Sequence, residues 1–298
     1  MQGREPQQKQ YHFLKPHLGK RLTQGAIFTC ARAERYGGCE VHGLVLTARC
    51  DLTQNKAPVT NYLPVVRLDD WLHRDFLEIL LDRCDSDLLE RFQNFLKRQN
   101  LAQSLLIAHS PRTIIESHFP ETGANRDQQT ARRKGMEIVE RIESLAAVRA
   151  LPAARKPVLE LARDFDGIRS RLMKDCVHQK LSGYYFLPSV AIGGDSRGYI
   201  ALLREVYHLP SAVARLVAEG LDASTCGGLI SAVPQIAGLL SVAPDEMAYV
   251  VSVLQSPYVE HLLQVFGMLF GRIGLPDPEE NYVSGLWLEQ PSVKGGAQ

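Results

Sequence analysis

Residues 25–51 read GAIFTCARAERYGGCEVHGLVLTARCD, and this stretch decides the first part of the fold. Its apolar runs, residues 25–29 and 41–47, are typical of short strands, and Tyr36-Gly37-Gly38 supplies a turn between them. A third run of the same kind, residues 61–67, follows a loop that contains Pro58. Three short strands so close together in sequence predict a small, strongly curved β-barrel.

Outward from this stretch, the chain divides into four regions by composition and periodicity. Polar composition predicts that the N-terminal residues form a flexible arm, and helical spacing of apolar residues begins after the barrel. The expected division is a flexible arm (1–19), a small β-barrel (20–68), a helical region (69–156) and a C-terminal mixed α/β region (157–298).

The C-terminal region combines a predicted hairpin with the clearest helix of the chain. Residues 184–192 and 199–209 are β-prone, and the glycine-rich turn between them predicts a β-hairpin. Ser256-Pro257 has the residue types of a helix start and precedes a long amphipathic helix. The fold class is therefore predicted to be α+β. The sequence leaves open whether the two β segments join in one sheet, and whether this helix faces its own core or another chain.

Composition is that of an ordinary globular protein, but charge is unevenly distributed. The 298 residues are 45% hydrophobic and 22% charged, and a net charge of +1 gives no general attraction to nucleic acid or acidic membranes. Residues 1–36 carry seven Lys or Arg against two Glu, whereas residues 201–298 carry four against ten Asp or Glu. A bound polyanion is expected at the N-terminal half.

The sequence shows no recognisable signal peptide or membrane-spanning stretch, and its cysteines are widely spaced. These features favour a cytoplasmic protein that does not enter a membrane. The first ten residues are polar with no apolar segment after them, and the longest apolar stretch, residues 229–243, is broken by Pro234. The six cysteines are widely spread, at positions 30, 39, 50, 84, 176 and 226. This spacing favours free or metal-bound thiols in a reducing compartment over a disulfide framework.

Three thiols and an imidazole near the first strands form a candidate metal site. Cys30, Cys39, His42 and Cys50 are the ligand types that a tetrahedral Zn²⁺ prefers, and Cys39 and His42 have plausible ligand spacing. Two alternatives remain open. The cysteines are small buried apolar residues, or Cys50 is a reactive thiol activated by a neighbouring cation such as Arg49 or Lys56.

The same strands resemble a known family of toxins. Residues 24–28 (QGAIF), 43–47 (GLVLT) and 62–66 (YLPVV) resemble, in that order, the strands of the SH3-like barrel of PemK/MazF-type toxins. Members of that family cleave RNA without a metal, using an arginine and a hydroxyl residue. The resemblance implies Arg49 and Thr47 for these roles. The chain departs from the pattern at Val41-His42-Gly43, where the family has Arg-Pro, and at Cys50-Asp51. The pattern of residues 46–52 is similar to uncharacterised bacterial proteins of toxin and phage-defence gene clusters.

The sequence contains no P-loop, dinucleotide fingerprint, HExxH motif or nucleophile elbow, so no motif favours a particular enzyme class. Three functions are compatible with the features described above. The first is a non-catalytic interaction or regulatory subunit of a bacterial multi-protein assembly, with anti-phage defence as one setting. The second is a nucleic-acid-binding or RNA-cleaving toxin-like module, with phosphates held by Lys15, Lys20, Arg21, Arg32, Arg35 and Arg49. The third is a zinc- or thiol-dependent enzyme centred on Cys50-Asp51. The candidate catalytic residues are thus Thr47, Arg49, Cys50 and Asp51, and the expected cofactor is none or one structural zinc.

Overall fold

The computed structural model describes residues 13–54, 56–122, 125–151, 165–194 and 197–271. Within these ranges the strands are β1 (Leu14–Lys15), β2 (Ala26–Phe28), β3 (Val41–Val45), β4 (Val59–Arg67), β5 (Tyr184–Leu187), β6 (Tyr199–Leu202), β7 (Tyr207–Pro210), β8 (Leu221–Asp222), β9 (Met247–Ala248) and β10 (Val250–Leu254). The α-helices are α1 (Arg49–Thr53), α2 (Leu68–Trp71), α3 (Leu77–Arg98), α4 (Leu105–Ala108), α5 (Pro111–His118), α6 (Arg126–Ala150), α7 (Asp166–Val177), α8 (Ser211–Glu219), α9 (Ala223–Ala232) and α10 (Tyr258–Phe270).

Three further helical turns lie between these elements. Glu34–Tyr36 and Pro234–Ile236 are 3₁₀ turns, and Leu72–Phe76 is a π-helical turn between α2 and α3. Among the described residues, no helix combines the length and the apolar character needed to cross a membrane.

The two β segments join in one antiparallel sheet, which curls into a half-barrel. The strand order is β1-β10-β2-β3-β4-β6-β5, and β7 also pairs with β4. Along one edge β4 is paired with β3; along its other edge Val59–Tyr62 pair with β7, and Val65–Arg67 pair with β6. The predicted α+β class and curved sheet are therefore confirmed, while the specific SH3-like arrangement stays a prediction.

Two parts of the predicted outline differ in detail from the structure. Leu14 and Lys15, which were expected in the flexible arm, form β1 and pair with Leu254 and Val253 of β10; residues 1–12 lie outside the described ranges. The predicted hairpin is present as the antiparallel pair β5–β6. Its second run is divided into β6 and β7, because the N–H of Glu205 donates to the carbonyl of Leu202 and turns the chain.

Both faces of the sheet are buried, and each carries its own core. Side chains alternate across a strand, so Tyr62 and Val66 of β4 enter one core while Leu63 and Val65 enter the other. The first core is completed by α3, α7 and α8, and the second by Val259 and Leu262 of α10. Burial on both faces explains why the strands read as continuous apolar runs.

A helical hairpin extends from the first core. Residues of α3, α5 and α6 form a third cluster that includes Phe92 and Ile115. Gly135 of α6 faces this cluster, and a Cβ there would lie 2.5 Å from Ile115 Cδ1 and 2.9 Å from Phe95 Cζ. The glycine therefore permits the close approach of α6 to α3 and α5.

The free edge of β5 is closed by one side chain. Gln179 Nε2 donates to the carbonyl of Phe186 over 2.8 Å, and the N–H of Phe186 donates to Gln179 Oε1 over 2.9 Å. The carboxamide thus occupies the backbone groups that a further strand would use. An uncovered edge invites pairing with other chains.

Replacing Gln179 should both destabilise the protein and open this edge. Gln179→Ala removes two hydrogen bonds, so we expect the free energy of unfolding to fall by about 1–2 kcal/mol and self-association to rise with concentration. Urea unfolding and light scattering measure the two effects. Gln179→Glu is the matched control: it keeps the acceptor but loses the donor, so an intermediate loss is expected. Unchanged stability in both variants would contradict this role.

Candidate functional site

The predicted zinc ligands Cys30 and Cys39 line one cavity of about 600 Å³ together with Glu246. Cys30 Sγ donates to Glu246 Oε2 over 3.8 Å, and Cys39 Sγ accepts from Arg74 Nη2 over 3.2 Å. Burial raises the pKa of the Cys30 thiol to about 11, and burial likewise raises the pKa of Cys39. Both sulfurs therefore hold their protons at neutral pH.

His42 and Cys50 lie elsewhere. The His42 ring is inside β3, 3% exposed, with its Nε2 3.6 Å from Glu40 Oε1 and its ring packed edge-on against Tyr199. Cys50 is exposed on α1, beyond the end of β3 opposite to Cys39. A five-residue strand spans about 16 Å, far more than two ligands of one zinc ion can bridge.

The four predicted ligands are therefore not brought together as a tetrahedral set. Within the part of the chain that the structure describes, no group of three or more His, Cys, Asp or Glu side chains is placed to hold a metal ion. A site built from Cys30, Cys39, His42 and Cys50 does not match the observed positions of these side chains.

The four candidate catalytic residues follow β3 closely but have different surroundings. Thr47 Oγ1 accepts the N–H of Asn61 over 2.7 Å, so this hydroxyl ties the end of β3 to β4. Arg49 and Cys50 are exposed in the first turn of α1, and Cys50 Sγ lies 3.5 Å from Asp51 Oδ1. The structure thus places Thr47 in the scaffold, leaves Arg49 and Cys50 exposed, and places Asp51 in the lining of a surface groove.

At least three of the six predicted phosphate-binding residues, Arg21, Arg32 and Arg35, interact with other groups of the protein. Arg32 Nη1 donates to the carbonyl of Gly238 over 3.0 Å, and Arg35 Nη1 forms an ion pair with Asp75 Oδ1 at 2.9 Å. Lys15 lies on the edge strand β1 and pairs with Val253 of β10. The fold therefore places the six residues in different local environments.

Asp75 is a buried carboxylate that the sequence analysis did not single out. It lies in the π-helical turn, where Tyr184 Oη donates to its Oδ2 over 3.3 Å. Burial, followed by the negative charge of Asp75, raises the pKa values of Tyr184 and Tyr36. The Arg35 guanidinium compensates the negative charge of the Asp75 carboxylate. Through Arg35, Asp75 and Tyr184, the cluster connects the 3₁₀ turn, the π-helical turn and β5. No sequence signal marks it, since a charged residue in a helical pattern ordinarily faces solvent.

Lys20 and Arg21, by contrast, line a groove that continues to α8. We call it the cationic groove; it consists of two adjoining cavities that share Arg21, Leu22 and Leu52. One cavity, about 270 Å³, is lined by Arg21, Asp51, Thr60, Ser211 and Arg215, among others. The adjoining cavity, about 390 Å³, is lined by residues 19–23 and by Leu52 and Thr53 of α1.

Backbone pairing holds the walls of the groove in place. Ser211 begins α8 directly after β7, and its Oγ is 2.8 Å from the carbonyl of Ala57 and 2.9 Å from that of Pro58. The first turn of α8 is thereby fixed to the start of β4. Arg215 follows one turn later and is exposed on the groove. No pattern in the sequence marks Arg215, since only the β4–β7 pairing brings it to the cavity that Arg21 also lines.

The side chains that line the groove include three cations and one carboxylate. Lys20, Arg21 and Arg215 line it, and Asp51 is the acidic residue among the lining side chains. Arg49 and Lys56 are exposed at either end of the α1 segment that forms its wall. The arrangement can attract and orient an anion.

Comparison with known proteins found no matching family model, no matching curated protein and no matching solved structure. The resemblance of the first strands to PemK/MazF-type toxins therefore stays a prediction, and so do the roles that it implies for Thr47 and Arg49.

The thiol environments predict one fast-reacting cysteine in the folded protein. At a pKa of about 11, Cys30 is a thiolate in roughly one part in ten thousand at pH 7, and burial also raises the pKa values of Cys39 and Cys226. Cys50 is exposed. Titration with a chromogenic disulfide should show a single fast thiol, which Cys50→Ser removes and Cys226→Ser retains. Two or more fast thiols in the native protein would contradict these environments.

Stability should fall on mild acidification because of His42. Burial lowers the pKa of His42 below the unfolded value of about 6.5, and the charge of Glu40 opposes this only in part. As the pH falls below that unfolded value, the unfolded chain binds the proton first, so the free energy of unfolding decreases. Urea unfolding from pH 7 to pH 5 measures the slope. His42→Asn should flatten it, whereas His208→Asn, at an exposed position on β7, should not. Equal slopes in the wild type and in both variants would exclude His42 as a source of the pH dependence of stability.

Proposed function

We propose that this chain is a non-catalytic subunit that binds nucleic acid through the cationic groove. The observation that carries the proposal is the convergence of Lys20, Arg21 and Arg215, from two distant parts of the sequence, on two adjoining cavities. Contacts between Lys or Arg and phosphates supply most of the sequence-independent affinity for nucleic acid. Arg32 and Arg35 are not among the lining residues of these two cavities, whereas Arg215 lines one of them.

The groove supports binding to the phosphate backbone rather than the reading of bases. Its lining residues include cations, hydroxyls and aliphatic side chains, whereas sequence-tolerant stacking of bases uses aromatic rings. RNA cleavage remains a prediction of the toxin resemblance alone. Thr47, which would supply the hydroxyl, is engaged with Asn61.

A protein-interaction subunit is the second candidate, favoured by one feature of α10. Met268 and Phe270 expose 64% and 68% of their surfaces near the end of this helix, whereas Val259 and Leu262 at its start are buried. An apolar helix end of this kind is compatible with a partner. Membership of a bacterial assembly, or of a phage-defence system, stays a prediction from the sequence.

Salt dependence tests the nucleic-acid proposal. Three phosphate contacts by the groove predict that the logarithm of the affinity for single-stranded RNA or DNA falls with the logarithm of salt concentration with a slope of about −2. The combined change Lys20→Ala, Arg21→Ala and Arg215→Ala should remove most of this slope. Fluorescence anisotropy at several salt concentrations measures it.

The control carries Lys134→Ala and Arg141→Ala, two exposed cations on α6, which packs against α3 and α5. It should bind as the wild type does. No binding at low salt, or equal weakening in the control, would reject the groove as a nucleic-acid interface.

A further inference from the structure

The cavity of about 600 Å³ that Cys30 and Cys39 line takes no part in the cationic groove. It lies between the connection from β2 to β3 and residues 241–249, which lead into β10, and we call it the β2–β3 cavity. It shares no described lining residue with the groove. Its volume falls within the range of pockets that hold small organic molecules. The chemistry of its walls therefore defines a class of ligand.

Glu246 supplies a carboxylate to the wall of the β2–β3 cavity. Its Oε2 accepts the N–H of Ala243 over 3.1 Å and lies 3.8 Å from Cys30 Sγ, and both of these residues also line the cavity. Burial raises the pKa of Cys30 to about 11, so this thiol is a neutral donor. The two contacts fix the position of the carboxylate without neutralising its charge.

The second acidic residue of the described lining is Glu40. Its Oε2 lies 3.8 Å from Arg67 Nη1, so its charge is compensated in part. Its Oε1 lies 3.6 Å from His42 Nε2, and burial lowers the pKa of His42, which is neutral at pH 7. Among the lining residues that the structure describes, none is a lysine or an arginine. The charge at the cavity wall is therefore negative, with Glu246 as its main source.

Other parts of the wall are apolar or aromatic. Val41 and Met247 line the cavity, and so does Tyr249, which is 47% exposed. The N–H of Thr29 donates to the carbonyl of Tyr249 over 3.0 Å, and the N–H of Tyr249 donates to Thr29 Oγ1 over 3.1 Å. The backbone that carries the aromatic ring is thus fixed to the end of β2. A ring of this kind attracts a cation to its face.

From these features we propose that the β2–β3 cavity binds a small organic cation, an ammonium group on an apolar body. The ammonium group lies beside Glu246 and compensates its charge, and the apolar body contacts Val41, Met247 and Tyr249. The same charge repels an anion, and a neutral ligand gains no Coulomb attraction from it. This inference goes beyond the proposed function and does not depend on it.

Two ligands with the same apolar body test the role of charge. They are 2-phenylethylammonium and 2-phenylethanol, which differ in the charged group alone. Saturation-transfer NMR with the full-length protein gives both dissociation constants. We expect the ammonium ligand to bind in the millimolar range, about tenfold more tightly than the alcohol. Equal affinities, or no saturable binding of the ammonium ligand, would overturn the inference.

A pair of variants locates the binding site. Glu246→Gln keeps an oxygen acceptor for the N–H of Ala243 but removes the charge, so the ammonium ligand should bind it only as tightly as the alcohol does. Asp245→Asn is the matched control, since Asp245 is exposed next to Glu246 but is not among the described lining residues, and it should bind as the wild type does. An equal loss in both variants would show non-specific attraction and overturn the site. Thermal unfolding checks that each variant is folded.

Two further measurements separate this site from a protein-binding site and from the cationic groove. A glycine–lysine–glycine peptide with blocked ends carries an ammonium group without an aromatic body, so we expect it to bind more weakly than 2-phenylethylammonium. Tighter binding of the peptide would overturn a free small molecule as the ligand and assign the cavity to a protein partner. The combined variant Lys20→Ala, Arg21→Ala and Arg215→Ala should bind 2-phenylethylammonium as the wild type does. A loss of that binding would reject the β2–β3 cavity, whereas the nucleic-acid proposal is tested by salt dependence alone.

Discussion

Strand β4 is the element on which the rest of the structure depends. Its nine residues pair with β3 along one edge and with β7 and β6 along the other, so it joins the N-terminal strands to strands from the distant C-terminal half. Its side chains enter both cores, with Tyr62 on one face and Leu63 on the other. Closing so long a connection costs chain entropy, which burial on both faces must offset. The two β segments therefore stabilise one another as parts of a single sheet.

The cationic groove is a consequence of this pairing. β3 leads directly into α1, and β7 leads directly into α8, so the β3–β4–β7 arrangement brings Asp51 and Arg215 to the same surface. The anchoring of Ser211 at Ala57 and Pro58 then fixes the first turn of α8 against the start of β4. A surface that combines cations from both ends of the sequence needs a rigid sheet to keep them at a constant spacing.

Local partners hold some of the predicted phosphate-binding cations within the fold. Arg35 compensates the buried Asp75, and Arg32 donates to the carbonyl of Gly238, so both serve the fold. The protonation of a thiol likewise depends on its surroundings. Burial keeps Cys30 protonated, although this residue is close in sequence to other possible metal ligands. The cations and sulfurs of a segment indicate where a ligand or a metal could bind. The neighbours that neutralise or bury each group, however, come from elsewhere in the chain, so the segment alone does not show which groups are available.

The sequence by itself predicted short strands at residues 25–29, 41–47 and 61–67, within two residues of the observed ones, together with the antiparallel pair that begins at Tyr184 and the long apolar helix α10. Hydrophobic periodicity and glycine-rich turns are local properties, so they can be recognised without the tertiary structure. The sequence also marked Lys20, Arg21 and Asp51 as functional candidates. Only the tertiary structure decided that the two β segments share one sheet, that Cys39 and Cys50 lie at opposite ends of β3, and that Arg215 stands beside Arg21. The physical reason is that strand pairing between distant segments depends on burial of complementary faces, and no local pattern along the chain specifies which distant strand will provide them.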